Sequence, residues 1–310
     1  MSLAFISIVT TLYKSENYID DFYKRVSNTV AKITNDYEII FIDDGSPDKS
    51  SEIAKKISLS DKKVKLAELS RNFGHHVAMM IGLKYASGDY IFLIDSDLEE
   101  PPELLETFFT IMQKNVKNID VVYGVLEKRK GNLLESIGGS LFYKLYNFLS
   151  GVYINEGTLV VRLMKNSYVK NLLLYNESNV FILGLMQLNG FNQLAVPVKK
   201  TSKGSSVYSF IRKLSLATDA ITSFSNQPLF YVSVFGLIMS MVSFMIILWL
   251  LMGKIFSNEI LSGWTSVMVS IWLVGGLIIT AIGIVGIYIG KIFVQVKNRP
   301  NAIIKNTYNL

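Results

Sequence analysis

The sequence has no cysteine, which excludes disulfides and thiolate metal sites. It has two histidines, His75 and His76, side by side. Adjacent residues at a helix start face different directions, and no third ligand is spaced to join them. Both therefore read as structural. No helix-turn-helix, zinc-finger or RNA-recognition signature is present. The net charge of +6 then points to phosphate substrates or anionic lipid, with no nucleic acid partner expected. The start, Met1 to Ile6, lacks a basic n-region and a small-residue cleavage site. It reads as a first strand and not a signal peptide, which leaves the N-terminal domain in the cytoplasm.

Charge is also missing from two long stretches. Residues 229–252 and 263–290 contain no Asp, Glu, Lys or Arg. At ~1.5 Å per residue, each run is long enough to cross ~30 Å of hydrocarbon. Two transmembrane helices are expected there. The connection from Gly253 to Ser262 holds only Lys254 and Glu259. Arg212 and Lys213 precede the first run, and Lys291, Lys297, Arg299 and Lys305 follow the second. This asymmetry places both ends in the cytoplasm and the connection outside. The expected organisation is a cytoplasmic domain (1–206), an interfacial amphipathic segment (207–227), a two-helix hairpin (228–292) and a cytoplasmic tail (293–310). The protein is thus expected to be multi-pass in the plasma (inner) membrane, in contact with membrane lipids. Trp249, Trp264 and Trp272 suit interface anchoring. Gly275, Gly276, Gly283, Gly286 and Gly290 permit close helix packing, and a homo-oligomer is expected.

Upstream, short β-rich runs alternate with helical spacing. Phe5–Val9, Glu38–Ile42, Val64–Leu69, Tyr90–Ile94 and Asp120–Tyr123 read as strands. Tyr18–Thr34, Ser50–Leu59, His76–Ala86 and Glu103–Lys114 read as helices. The alternation implies an α/β fold with a mostly parallel sheet covered on both faces. In such sheets ligands gather at the C-terminal strand ends, where Asp43, Asp44, Asp95 and Asp97 fall. In an extended Asp95-Ser96-Asp97 the two carboxylates point the same way. They suit a hard cation, Mg²⁺ or Mn²⁺, held against a diphosphate. Asp43-Asp44-Gly45-Ser46 is either a site for the donor groups of a base or ribose, or a turn capping the next helix.

Taken in order, Tyr13-x-x-Glu16, Asp43-Asp44-Gly45-Ser46, Leu69-Ser70-Arg71-Asn72-Phe73-Gly74 and Asp95-Ser96-Asp97-Leu98-Glu99-Glu100-Pro101-Pro102 resemble glycosyltransferase family 2, most closely its polyprenyl-phosphate branch. The resemblance implies a GT-A-like (Rossmann-like) fold. It implies inverting transfer of a sugar from a nucleotide sugar, UDP-glucose as first guess, to polyprenyl phosphate, supplying a lipid-linked sugar for cell-envelope glycans. It also implies roles. Thr10, Tyr13, Glu16, Asp43, Asp44 and Arg71, with Asp95 and Ser96, match the nucleotide pocket. Asp95 and Asp97 match the metal site. Asp97 and Arg162 match catalytic positions. Lys128, Arg129 and Arg212 match the acceptor-phosphate contacts.

Two departures stand out. Glu99-Glu100 replaces the family's Gln-Asp, and Val160 stands where an Asp is usual, with Glu156 nearby but out of register. The missing base is tolerable. A phosphate monoester has a second pKa near ~6, so the acceptor is already largely dianionic and needs positioning and charge neutralisation more than deprotonation. Two rivals stay open: a processive polysaccharide synthase, and a non-catalytic helper of lipid-linked sugar translocation. The first is disfavoured by only two spans and by the absence of tryptophan before Trp249.

Overall fold

The computed structural model describes residues 4–114, 118–127, 147–149, 153–178, 180–200, 222, 225–256 and 263–310. Lys128, Arg129, Arg212 and most of the expected interfacial segment lie outside the described residues.

An eight-stranded sheet organises the N-terminal part. Its first half follows the expected alternation: β1 (Ile6–Leu12), α1 (Ile19–Ala31), β2 (Tyr37–Asp43), α2 (Ser50–Ser60), β3 (Val64–Leu69), α3 (His75–Tyr85), β4 (Tyr90–Leu93), α4 (Leu104–Lys114) and β5 (Val121–Leu126). Then come β6 (Thr158–Lys165), α5 (Asn166–Leu172), α6 (Ile182–Leu188) and β7 (Gln193–Val198). The strand order is β7-β5-β6-β4-β1-β2-β3-β8, where β8 is Ile304–Tyr308. β1 through β4 are mutually parallel. β6 is antiparallel to both β4 and β5, and β8 is antiparallel to β3.

Strand alternation builds a core on each face. Ile6, Ile8 and Leu12 pack with Phe22 and Val26 of α1, Ala54 of α2 and Phe108 of α4. Val9, Ile40 and Ile42 pack with Ala78 and Met79 of α3, Tyr168 of α5 and Leu185 of α6. α3 approaches the sheet so closely that a Cβ on Gly82 would stand 2.4 Å from Val9 Cγ1.

Two long apolar helices follow: α7 (Gln227–Phe256, 30 residues) and α8 (Trp264–Val296, 33 residues). They overrun both expected spans, and α8 continues past the charge-free run. Gln227–Met245 and Leu273–Val296 are long and apolar enough to cross a membrane and are not buried in the protein. Tyr288 of α8 donates at 2.8 Å to the Ser225 carbonyl, two residues ahead of α7.

The stretch expected as a tail returns to the sheet. β8 pairs with β3 from Leu66–Tyr308 to Leu69–Ile304. The path from α8 to β8 is fixed by neutral amides. Gln295 accepts from the Ser178 N–H at 2.8 Å and donates to the Asn176 carbonyl at 2.7 Å. Asn301 donates to the Glu177 carbonyl at 2.8 Å.

Candidate active site

Strand register brings distant motifs to one edge. β1 pairs with β2 up to Leu12–Asp43 and with β4 up to Val9–Leu93. The segments after β1, β2, β3 and β4 therefore emerge together. β5 and β7 run parallel to each other, and β6 is antiparallel to both β4 and β5, so β5 and β7 end on the same side.

Asp43 ends β2 and Asp44 follows it; both are buried, at 3% and 2% exposure. Asp44 spends both oxygens on the loop after β3: Oδ1 accepts from Phe73 N–H at 2.7 Å and Oδ2 from Gly74 N–H at 3.0 Å. Asp44 thus holds the approach to α3 and does not cap α2, the helix next in sequence. Gly45 makes that possible. It has φ +64°, and a Cβ there would lie 2.4 Å from the Arg71 carbonyl carbon. Burial raises the pKa of both carboxyls; Glu68 and Asp44 add to the effect at Asp43, while the loop hydrogen bonds oppose it at Asp44.

The Asp95–Asp97 segment is not the extended stretch expected. β4 stops at Leu93, Ser96 and Asp97 lie in a turn, and Leu98 adopts φ +61°. Asp97 Oδ1 accepts from Glu99 N–H at 2.9 Å. Burial raises the Asp97 pKa, and the charges of Asp95 and Glu99 raise it further. Ser96 is buried and donates to the Thr11 carbonyl at 2.9 Å, tying this turn to β1.

Around this centre the other expected residues divide. Tyr13 is 46% exposed at the same edge. Glu16 accepts from Lys49 N–H at 3.1 Å and so orders the start of α2. Arg71 is exposed, with its guanidinium 4.1 Å from the Phe73 ring centroid. Thr10 is fully buried on the face of Ile8 and Leu12, with no partner for Oγ1 among the described residues. Arg162, 2% exposed, donates to the Val160 carbonyl at 2.9 Å and the Leu159 carbonyl at 3.0 Å. Tyr123 and Tyr168 flank it. These are the surroundings of a core arginine, so Arg162 is not brought out among the exposed site groups.

Two contributors were missed by sequence reasoning. Lys200, just beyond β7, lies 2.7 Å from Glu99 and 3.1 Å from Glu100. Burial and the Asp95 charge push Glu100 up to about 7 despite that lysine. His75, read as merely structural, touches Asp95, with Nε2 3.1 Å from Oδ1. The acidic replacement of Gln-Asp hinted at a compensating cation; nothing local pointed to His75.

A hard divalent cation needs carboxylate oxygens that protein donors do not already satisfy. Asp95 Oδ1 is buried beside His75 Nε2, at 3.1 Å, with no donor aligned on it, and burial first, then the Asp95 and Glu99 charges, disfavours the ionised form of Asp97, a cost that a cation would offset. No group of three or more His, Asp or Glu side chains closes on one point among the described residues. The protein thus offers part of a coordination shell. That fits Mg²⁺ or Mn²⁺ held by one or two carboxylates and completed by substrate phosphates.

On the same edge, a cavity of about 430 Å³ is lined by Val125, Glu127, Asn155, Glu156 and Pro197. Asn155 is fixed there by donating to the Tyr123 hydroxyl at 2.7 Å.

The model of glycosyl transferase family 2 matches residues 7–172. A Mycobacterium tuberculosis (strain CDC 1551 / Oshkosh) protein with a general glycosyltransferase name is 44% identical over 303 residues, covering 98% of this chain and 88% of that protein. The SfII prophage-derived bactoprenol glucosyl transferase of Shigella flexneri is 33% identical over 306 residues, covering 98% of each. Among solved structures, mannosyl-3-phosphoglycerate synthase from Rubrobacter xylanophilus superposes with a TM-score of 0.48 at 13% identity, over 71% of this chain and 72% of that one.

Proposed function

This chain belongs to glycosyl transferase family 2, and from that premise we propose that it transfers a glucosyl group from UDP-glucose to a polyprenyl phosphate at the cytoplasmic face of the plasma (inner) membrane. The observation that carries the reading is the gathering of the Asp43–Asp44 turn, the Arg71–Gly74 loop and the Asp95–Asp97 turn at one sheet edge. The acceptor class is supported by the bactoprenol glucosyl transferase relative, which matches through the C-terminal helices as well as the domain.

The residues divide the work. Tyr13, exposed at the end of β1, offers a ring face to the base. Asp43 meets the base or ribose, while Asp44 keeps the loop carrying Arg71 in place. Asp95 and Asp97 would hold Mg²⁺ or Mn²⁺, which when bound neutralises charge on the leaving diphosphate. Arg162 supports the site from the core. The acceptor phosphate is drawn in by Lys128, Arg129 and Arg212, because charge-assisted contacts to phosphate are among the stronger polar interactions. The cavity at Asn155 and Glu156 takes the reacting end. The acceptor oxygen is ionised, so it attacks the anomeric carbon without a protein base, and Glu156 is dispensable.

The test is direct. Membranes carrying the protein are incubated with radiolabelled UDP-glucose and a short polyprenyl phosphate, with Mn²⁺ or with EDTA. A lipid-extractable product that needs the metal is expected. No product with any UDP-, GDP- or TDP-sugar would sink the assignment; product with another donor would correct only the sugar.

A further inference from the structure

The chemistry just proposed leaves His75 unused, yet the fold holds its ring at both nitrogens. Nδ1 lies 2.9 Å from Thr11 Oγ1, at the end of β1. Nε2 lies 3.1 Å from Asp95 Oδ1, just past β4. That oxygen is buried, and no donor among the described residues is aligned on it, so the nearby ring is the group placed to serve it.

The ring's place is set from several directions. Asp44 clamps the N–H groups of Phe73 and Gly74 immediately before it. Gly74, at φ +103°, turns the chain, and its carbonyl accepts the first α3 hydrogen bond from Ala78 N–H at 3.0 Å. Ser96 ties the Asp95 turn to the Thr11 carbonyl. Four motifs far apart in sequence thus converge on one imidazole.

The partners also fix the hydrogens. An ionised carboxylate only accepts, so His75 carries hydrogen on Nε2, and the Thr11 hydroxyl adapts to Nδ1. His76 differs: its Nδ1 lies 3.2 Å from the Val180 carbonyl, so the hydrogen there is on Nδ1. The two histidines have opposite hydrogen-bonding patterns.

We infer that His75 is a positioning residue for Asp95. By donating from Nε2 it pins one carboxylate oxygen, so that the other is presented to the donor diphosphate and its cation. This rests on the family reading of Asp95. A carboxylate with one anchored oxygen loses rotamer freedom before the ligand arrives, and losing such an outer contact typically costs ~10–100-fold in metal affinity or activity.

Two conservative variants separate positioning from simple packing. In His75→Gln the amide nitrogen reaches the place of Nε2; in His75→Asn it reaches only that of Nδ1. Titration calorimetry with UDP-glucose and Mn²⁺, alongside electron paramagnetic resonance of free Mn²⁺, reads the outcome. His75→Asn is expected to weaken Mn²⁺-dependent donor binding by ~10–100-fold, and His75→Gln to recover most of it. Wild-type affinity in His75→Asn, or equal losses in both variants, overturns the inference. A wild-type protein that binds no donor counts against the family-site reading instead, and a second measurement then decides. With only two histidines in the chain, ¹⁵N-histidine spectra are readily assigned. Asp95→Ala should shift the His75 Nε2 signal and leave His76 in place. An unmoved His75 signal refutes the contact whatever the donor is.

Discussion

Glu100 shows what a single carboxyl contributes at this edge. Its side chain is 2% exposed, and burial with the Asp95 charge lifts its pKa from 4.5 to about 7. A raised folded-state pKa means that the folded protein binds the proton more tightly than the unfolded chain. Stability from this group is therefore greatest at low pH and falls as pH rises from about 4.5 to about 7. The loss amounts to at most about 3.5 kcal/mol. Glu100→Gln removes it, so in EDTA the melting temperature of the variant relative to wild type should climb between pH 5 and pH 8. Parallel curves would show that Lys200 compensates the charge fully. Asp97→Asn has a different signature. It should abolish transfer while shifting the melting temperature little, as an assay paired with thermal melts checks; an active variant would remove Asp97 from the metal site. Gly45→Ala combines a left-handed backbone with a 2.4 Å clash against Arg71. We expect it to cost ~1–3 kcal/mol and to open the 70–74 loop to protease.

At the scale of elements, what could be read in advance was local. β1 through β5 and α1 through α4 announce themselves by apolar runs and by the carboxylates that close them, and those carboxylates do gather at one edge. β6 and β7 were missed for different reasons: β6 is a central, largely buried strand whose apolar run is broken by Arg162, and β7 is an edge strand left largely unburied. β8 was missed because four of its five residues are exposed, so composition marks no strand; pairing with β3 alone creates it. His75 and Lys200 escaped for the same reason, since their partners lie 20 and about 100 residues away in sequence. Arg162 was matched to the reacting centre by motif alone, and a motif match does not say that its guanidinium is buried on the Leu159 and Val160 carbonyls. The hold on β8 is testable. Asn309, at φ +57°, donates to the Ser58 carbonyl at 2.5 Å and the Val64 carbonyl at 2.9 Å. Asn309→Leu leaves those carbonyls without that donor and should cost ~1–2 kcal/mol, with faster hydrogen exchange in β3.

For the whole molecule, the sheet constrains topology independently of charge. β3 precedes both long helices and β8 follows them, yet the two are hydrogen-bonded neighbours. If α7 and α8 insert, they must cross an even number of times. A reporter placed near Asn258 should then label from outside and one after Leu310 only from the cytoplasm; the same label on both would overturn the hairpin. The pairing also imposes an order on synthesis. When a ribosome has made β3, its outer edge has no partner, and none is available until α7 and α8 have been translated and the chain returns. An open strand edge is a site for wrong pairing, so if α7 and α8 insert, the nascent domain waits, incomplete, until they have done so. On that topology only a chain whose helices have left and come back on the correct side could close its sheet, and β8 would act as a check on insertion, read out in the fold of the enzyme itself.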